Sequence, residues 1–436
     1  MDKSYIDYLD EDIFPFIYYN GYDCRYPTLS PLYFDESFYY EIKEVSQKLF
    51  SILLKSAKVF QNCPTKFIEN MEMPKALIPY LNIKNEVGLP TFLSRFDFVL
   101  DKDYNLKMVE INADTPCAFI ESYYANNVAA NYFLAKDPNI YEYDKLASFL
   151  FDTVSRLVPP EININSAEST KKNILFSCFH DYKEDFGTTL FLMNALKKKA
   201  EEKGKLYNYN IFFKSFYDLL VEDGNIKVND QYVDLIYRLH PMELLINEKT
   251  EDNEPLGEYF MDGYKSKKFR MINPPEAIIL QNKRMQTLIY SLANVNNSPF
   301  TDEEINIVNQ YMAASYFDDE YIRAVEHSNI DNKFIIKPIW GREGTGIEVV
   351  NKYSTIFKKE VDQYNIPQLE SYKYLYQEYI EQPTFIVETD YAKDQEGYLT
   401  LSCFMLGDKP SAVYGRFNYE PIAATEAFWV PLLVKE

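Results

Sequence analysis

Histidine is scarce in this chain. His180, His240 and His327 are the only three in 436 residues, which leaves little room for chemistry built on imidazole. His240 closes the apolar run YVDLIYRLHP and reads as structural. Cysteine is sparse too: Cys24, Cys63, Cys117, Cys178 and Cys403 are widely spaced, odd in number and form no CxxC pair. Neither a disulfide framework nor a zinc site is indicated, and a reducing cytoplasm fits best. Positive charge is in deficit, with 45 Lys and Arg against 66 Asp and Glu and a formal charge of −21. That balance argues against a nucleic-acid polymer as partner, because phosphate contacts need a Lys/Arg surplus; a nucleotide pocket needs only a few local cations. No apolar run approaches the roughly 18 residues of a membrane span, and no basic stretch followed by an apolar core opens the chain, so neither membrane spanning nor secretion is expected.

What is present suits a soluble globular protein. Hydrophobic residues make up 47% and charged residues 25%, in a chain long enough for two or three domains. Phe38, Ile42, Val45, Leu49, Leu53 and Phe60 recur at helical spacing and predict an amphipathic helix. Helical patterns follow over 121–135 and 143–157. Pro159 and Pro160 then open the polar stretch EININSAESTKKN, a candidate boundary. Beyond it, NILFSCFH, YNIFF and residues 232–239 read as strands, with a helix over 188–203, which predicts a small parallel α/β unit. From about Ile272 the pattern gives helices over 283–293 and 302–314. It then turns strand-rich, with FIIKPIW, LYQEYI, FIVET, YLTLSCFML and SAVYGRF.

Two segments carry chemistry. In SRFDFVLDKDYNLKMVEINADTP, two alternating runs flank the turn-rich Asp101–Asn105. Phe96, Phe98 and Leu100 share one face and Arg95 and Asp97 the other. In the second run Val109 and Ile111 share the apolar face, leaving Glu110 and Asn112 opposite. A hairpin closing about Asp103 and Tyr104 sets Asp97 against Glu110 and Arg95 against Asn112. Two carboxylates so close repel unless Arg95 or a divalent cation with oxygen ligands lies between them; a solvated face with a local salt bridge is the other reading.

The second segment is FIIKPIWGREGTGIEVV. Glycine is rare here, with 13 in the chain, yet Gly341, Gly344 and Gly346 cluster between two apolar flanks. Glycines of that kind let backbone N–H groups approach an anion closely. The pattern is neither a Walker A loop nor a Rossmann fingerprint, since no GK[ST] and no helix follow. Lys337 lies inside the apolar strand and needs a carboxylate or phosphate partner, unless it points to solvent from a plain hairpin. In QEYIE, Gln377 and Glu378 suit either an adenine-reading connector or a surface turn. Arg416 in AVYGRF is either a phosphate clamp or half of a salt bridge.

Taken in order, RFD, VEINADTP, EDF, QNK, KPIWGREG, YQEYI and GRF resemble the glutathionylspermidine synthase-like family of ATP-grasp carboxylate–amine ligases, over essentially the whole chain. The family's bifunctional members carry an amidase domain ahead of the synthetase; the motifs here are those of the synthetase, so the resemblance implies ligase chemistry only. It implies an α+β and α/β architecture, an ATP-grasp fold with a smaller α/β, pre-ATP-grasp-like domain. The expected segments are 1–165, a helical region with the metal- and phosphate-binding hairpin; 166–270, a small substrate-side α/β domain; and 271–436, the nucleotide-binding lobes and a mobile lid.

The resemblance also implies roles. Arg95 looks like the arginine that stabilises the transferring phosphoryl group, and Asp97, Glu110 and Asn112 look like ligands of two magnesium ions. Lys283, Lys337, Gly344, Gln377, Glu378 and Arg416 fall at ATP-binding positions. Thr115, Glu184 and Asp185 fall near the substrates, a small-molecule or peptide carboxylate such as glutathione and an amine such as a polyamine. The sequence departs from the polyamine–glutathione pattern after EINAD, where Thr115, Pro116 and Cys117 replace a serine-containing stretch. The implied cofactors are ATP and Mg2+. A catalytically silent ATP-binding protein, serving as sensor or assembly partner, is the rival expectation. On the ligase reading Asp97→Ala loses activity and keeps its fold, because Asp97 sits on a polar face.

Overall fold

The computed structural model describes residues 4–18, 24–160, 171–328, 332–342, 344–358, 373–422 and 427–435. In chain order, helix α1 (Glu36–Gln61) precedes strands β1 (Leu93–Leu100) and β2 (Leu106–Asn112), followed by α2 (Glu142–Leu157). Next come β3 (Lys172–Ser177), α3 (Lys183–Glu202), β4 (Tyr209–Phe213), β5 (Leu235–Arg238) and β6 (Arg270–Ile272). Helices α4 (Arg284–Ala293) and α5 (Asp302–Tyr311) lead into β7 (Ser315–Tyr316), β8 (Phe334–Pro338), β9 (Glu348–Val350) and β10 (Thr355–Lys358). Strands β11 (Tyr374–Glu378), β12 (Glu396–Leu406), β13 (Lys409–Asn418) and β14 (Phe428–Trp429) follow. Of the polar stretch expected to mark a boundary, residues 161–170 lie outside the described residues.

Three sheets position the site. The central one runs β14-β13-β12-β1-β2, so the hairpin read from sequence acquires a neighbour from some 300 residues away. Its register is the expected one at the chemistry: Arg95 pairs with Asn112 and Asp97 with Glu110. A bulge follows, and Phe98 pairs with Met108. The extra residue turns Val109 off the apolar face, where the alternation had placed it, and into the cleft; Met108 is buried beside Ile111 instead. Burial of apolar side chains against α1 holds this sheet, with Ile42, Val45, Leu49, Leu53 and Phe60 packed in the same core as Phe96, Phe98, Ile111 and Cys403.

The second sheet, β6-β5-β3-β4, is wholly parallel, as the α/β alternation predicts. Helix α3 begins at Lys183, five residues before the expected Thr188, so Glu184 and Asp185 fall in its first turn, near the carboxyl end of β3. Crevices beyond the carboxyl ends of parallel strands are the usual ligand-binding edge of such sheets. The third sheet, β7-β11-β8-β9-β10, is antiparallel throughout and carries the glycine-rich turn between β8 and β9. The segment expected as helix over 121–135 opens with a π-helical turn, Glu121–Ala125, and continues as Asn126–Tyr132.

Candidate active site

One face of the central sheet looks into a cleft of about 340 Å³, closed on the other side by the antiparallel sheet. Residues opposed in register share a face, so Glu110, Asp97, Ser402 and Tyr414 form a row across β2, β1, β12 and β13. Arg95, Asn112 and Arg416 flank that row. Lys337, Gln377 and Glu378 enter from the opposite sheet, Gly344 from the glycine-rich turn, and Thr115 and Glu184 from the far end. Lys283 joins indirectly: its Nζ lies 2.8 Å from Glu110 Oε1 and donates to the Gly341 carbonyl at 2.7 Å. Asp185 does not line the cleft and stands behind it, with Oδ1 3.9 Å from Cys117 Sγ.

On β1 the polar face of the hairpin is not solvated, while Glu110 and Asn112 on β2 are half-buried. Asp97 is 3% exposed and Arg95 8%. Arg95 donates from Nε to Asp97 Oδ1 at 2.8 Å and from Nη2 to Oδ2 at 2.9 Å, the bidentate geometry of a strong charge-assisted pair. Ser402 Oγ donates to Oδ1 at 2.8 Å and Asn112 Nδ2 to Oδ2 at 3.1 Å, so every lone-pair position of the carboxylate is used. Burial works to raise the Asp97 pKa, but Arg95, Arg416 and Ser402 outweigh it and hold the carboxyl below its ordinary value. Arg95 also donates to the Cys117 carbonyl and lies over the Tyr414 ring, 5.7 Å from its centroid.

Lys337 is 6% exposed and donates to Gln377 Oε1 at 2.9 Å and to the Val109 carbonyl at 3.3 Å, tying the two sheets together across the cleft. Burial, with Lys283 adding repulsion, pulls its pKa down to about 8 against the opposing pull of Glu110. Gln377 is fixed in turn by Gln286 and Ser315, so its amide is committed to Lys337. Glu378, at the end of β11, is exposed. Arg416 Nη2 lies 3.9 Å from Asp97, and its Nε is buried with no hydrogen-bond partner among the described residues. An arginine so placed has donors to offer an incoming anion.

Residue-type reasoning missed several contributors. Arg342, in the GREG turn, lines the cleft, donates to Glu243 Oε1 at 2.6 Å and reaches Thr115 Oγ1 at 3.5 Å. Its signal was an arginine among glycines, but Glu243 lies in an unrelated short helix. Behind the cleft, Asp114 of EINAD is fully buried and paired with Arg238 of β5 at 2.5 Å. Asn273 follows β6; its amide group bonds the backbone of Phe92, Leu93, Ala113 and Asp114. Gln281, which opens QNK, accepts from the Ala113 and Asp114 amides at 2.7 and 3.1 Å. These contacts set where the chain turns after β2, and so where Thr115 and Cys117 stand.

Among the described residues no group of three or more His, Cys, Asp or Glu is disposed to hold a metal. The candidate set is instead two carboxylates and an amide, a hard-oxygen set of the kind Mg2+ takes alongside water and phosphate. Glu110 is partly exposed to the cleft, and turning the Asn112 amide would both present its oxygen and release one lone pair on Asp97.

Comparison with known proteins agrees with this architecture. The family model for glutathionylspermidine synthase preATP-grasp proteins matches residues 14–435. A putative acid–amine ligase of Haemophilus influenzae is 22% identical over 349 residues, covering 78% of this chain and 74% of that protein. The apo structure of a glutathione synthetase-like effector from Globodera pallida superposes with a TM-score of 0.55 at 11% identity, over 94% of this chain and 90% of that one. The chain has the ATP-grasp-like fold of glutathione synthetase relatives, with several sheets and a smaller parallel α/β unit, and it belongs to the glutathionylspermidine synthase preATP-grasp family.

Proposed function

We propose that this protein is an ATP- and Mg2+-dependent ligase that joins a carboxylate to an amine through an acyl phosphate. The observation that carries the reading is the convergence of Arg95, Arg416, Lys337 and, through Glu110, Lys283 on one cleft whose floor bears Asp97, Glu110 and Asn112. Around Asp97 and Glu110 these four cations meet two carboxylates, which leaves donors to hold an anion. Ile335, Ile347 and Ile380 line the same cleft near Gln377 and Glu378 and give an adenine ring an apolar bed.

A carboxylate and an amine do not condense in water, so the carboxylate must first acquire a leaving group. Phosphoryl transfer from ATP supplies it, and most of that catalysis is positioning and charge neutralisation, which needs no histidine. Lys283 and Lys337 hold the phosphates, Gly344 lets the loop backbone close on them, and Arg416 adds donors from the sheet. Arg95 neutralises charge on the transferring group, with Asp97 fixing its orientation. Bound by Glu110, Asn112 and Asp97, Mg2+ would neutralise phosphate charge. The Thr115 and Glu184 end of the cleft is assigned to the acid and the amine, with glutathione and a polyamine as the first pair to try. Residues 166–270 are assigned to the acceptor side and 271–436 mainly to the nucleotide. The second reading, ATP binding without turnover, has no use for Arg95 and the three oxygen donors together.

The test is ADP and phosphate release from ATP–Mg across a panel of peptides, amino acids and amines, including glutathione with spermidine. Amine-dependent release with an amide product supports the ligase. Tight ATP–Mg binding without release on every pair favours the silent protein, and absence of ATP binding sinks both.

A further inference from the structure

Beyond Arg95, at the end of the cleft away from Lys337, a buried carboxyl group has no part in the chemistry above. Glu121 is fully buried on the π-helical turn, a local irregularity that often marks function. Tyr26, which lines the cleft, donates from its hydroxyl to Glu121 Oε1 at 3.0 Å. The Tyr26 hydroxyl is also 2.9 Å from that of Tyr414, whose ring lies under Arg95. Glu121 Oε2 is buried and has no hydrogen-bond partner among the described residues. A carboxyl stripped of water and half-satisfied is costly to keep, and groups of this kind cluster at functional sites.

We propose that Tyr26 and Glu121 form a proton relay that accepts a proton from the incoming amine. The inference rests on the ligase reading and adds to it the residues that turn an alkylammonium ion into a nucleophile. As the ammonium gives up a proton to the Tyr26 oxygen, Tyr26 passes its own hydroxyl proton to Glu121, which becomes the neutral acid. The free amine attacks the acyl carbon, the C–N bond forms, and the bond to phosphate breaks with its electron pair on the phosphate oxygen. The second N–H proton leaves with the phosphate, so the products are amide, hydrogen phosphate and protonated Glu121, which returns its proton to solvent.

The groups facing Glu121 are Glu184 from α3, Tyr26, Tyr414 from β13, Arg95 from β1 and Cys117 just ahead of the turn. Burial raises its pKa most, Glu184 raises it further, and Tyr26 and Arg95 oppose them, leaving a value of about 8. The base form is the carboxylate, so the relay gains competence as pH rises through that value.

The test uses full-length wild type, Glu121→Gln and Tyr26→Phe. Infrared titration of the free protein is expected to show carboxylic-acid absorption at about pH 6 from Glu121 and from Glu276, both raised to about 8 by burial, and the difference between wild type and Glu121→Gln is expected to isolate a Glu121 band that fades as pH passes about 8. A Glu121→Gln spectrum identical to that of wild type at pH 6 refutes the relay without reference to any substrate. The second measurement compares spermidine with hydroxylamine as acceptors for the acids of the panel. Hydroxylamine is already a free base at neutral pH and traps acyl phosphates as hydroxamates. Both variants are expected to lose roughly a hundredfold or more with spermidine and to keep hydroxamate formation within a few-fold of wild type. Equal losses with both acceptors mean a structural role, and no loss means no role; either overturns the proposal. Wild type that makes no hydroxamate from any acid refutes the ligase reading itself, and the relay falls with it.

Discussion

Removing the Asp97 carboxylate should damage the fold as well as the chemistry, contrary to what a polar strand face suggests. Asp97→Ala leaves the Arg95 guanidinium buried with Nε and Nη2 unpaired, and it strips acceptors from Ser402 and Asn112. Breaking a buried ion pair by deleting one partner costs about 3–5 kcal/mol. That is on the order of a thousandfold in the ratio of folded to unfolded protein, and a large share of a typical total of about 5–15 kcal/mol. Urea denaturation followed by fluorescence and circular dichroism should show the midpoint falling accordingly. Because the Asp97 pKa is lowered in the folded state, its contribution is present above about pH 4 and lost on acidification, so wild type and variant should converge at low pH. The double variant Arg95→Met, Asp97→Leu removes both charges and should regain most of the stability while remaining inactive. An unchanged midpoint in Asp97→Ala, with activity abolished, would refute this reasoning and leave Asp97 a ligand only.

Other outcomes follow from the same geometry. At about pH 9 Lys337 is mostly neutral, and phosphate charge beside it should drive proton uptake on ATP binding; calorimetry in buffers of different ionisation enthalpy should detect it in wild type and not in Lys337→Met. Gly344 has φ of 72°, so Gly344→Ala should strain the turn by about 1–2 kcal/mol and weaken ATP binding with little change in the melting curve. Arg238→Met abandons a fully buried Asp114 carboxylate and should destabilise by about 3–5 kcal/mol in urea; an unchanged midpoint would show that the pair does not hold the turn after β2.

The hairpin was legible because its information is local. A short turn and period-two alternation set the register of Arg95 against Asn112 and Asp97 against Glu110, and the structure keeps it. Helix α1 and the strand–turn–strand around Gly344 were legible for the same reason. Val109 was misplaced because a bulge leaves no mark on the hydrophobic pattern. The burial of Asp97 was missed because alternation cannot tell a solvated polar face from one covered by a second sheet.

The sequence by itself determined the helices, the strand segments, the small parallel unit and the residue types able to hold phosphate, since each depends on periodicity or on one side chain's chemistry. Only the tertiary structure decided which of them meet. Ser402 reaches Asp97 through β12, Arg342 reaches Glu243 and Thr115 through the glycine-rich turn, and Tyr26 reaches Glu121 through a loop. Pairings between segments so far apart come from ladder hydrogen bonds and shared burial, which any strand of similar composition offers equally until the whole chain has packed.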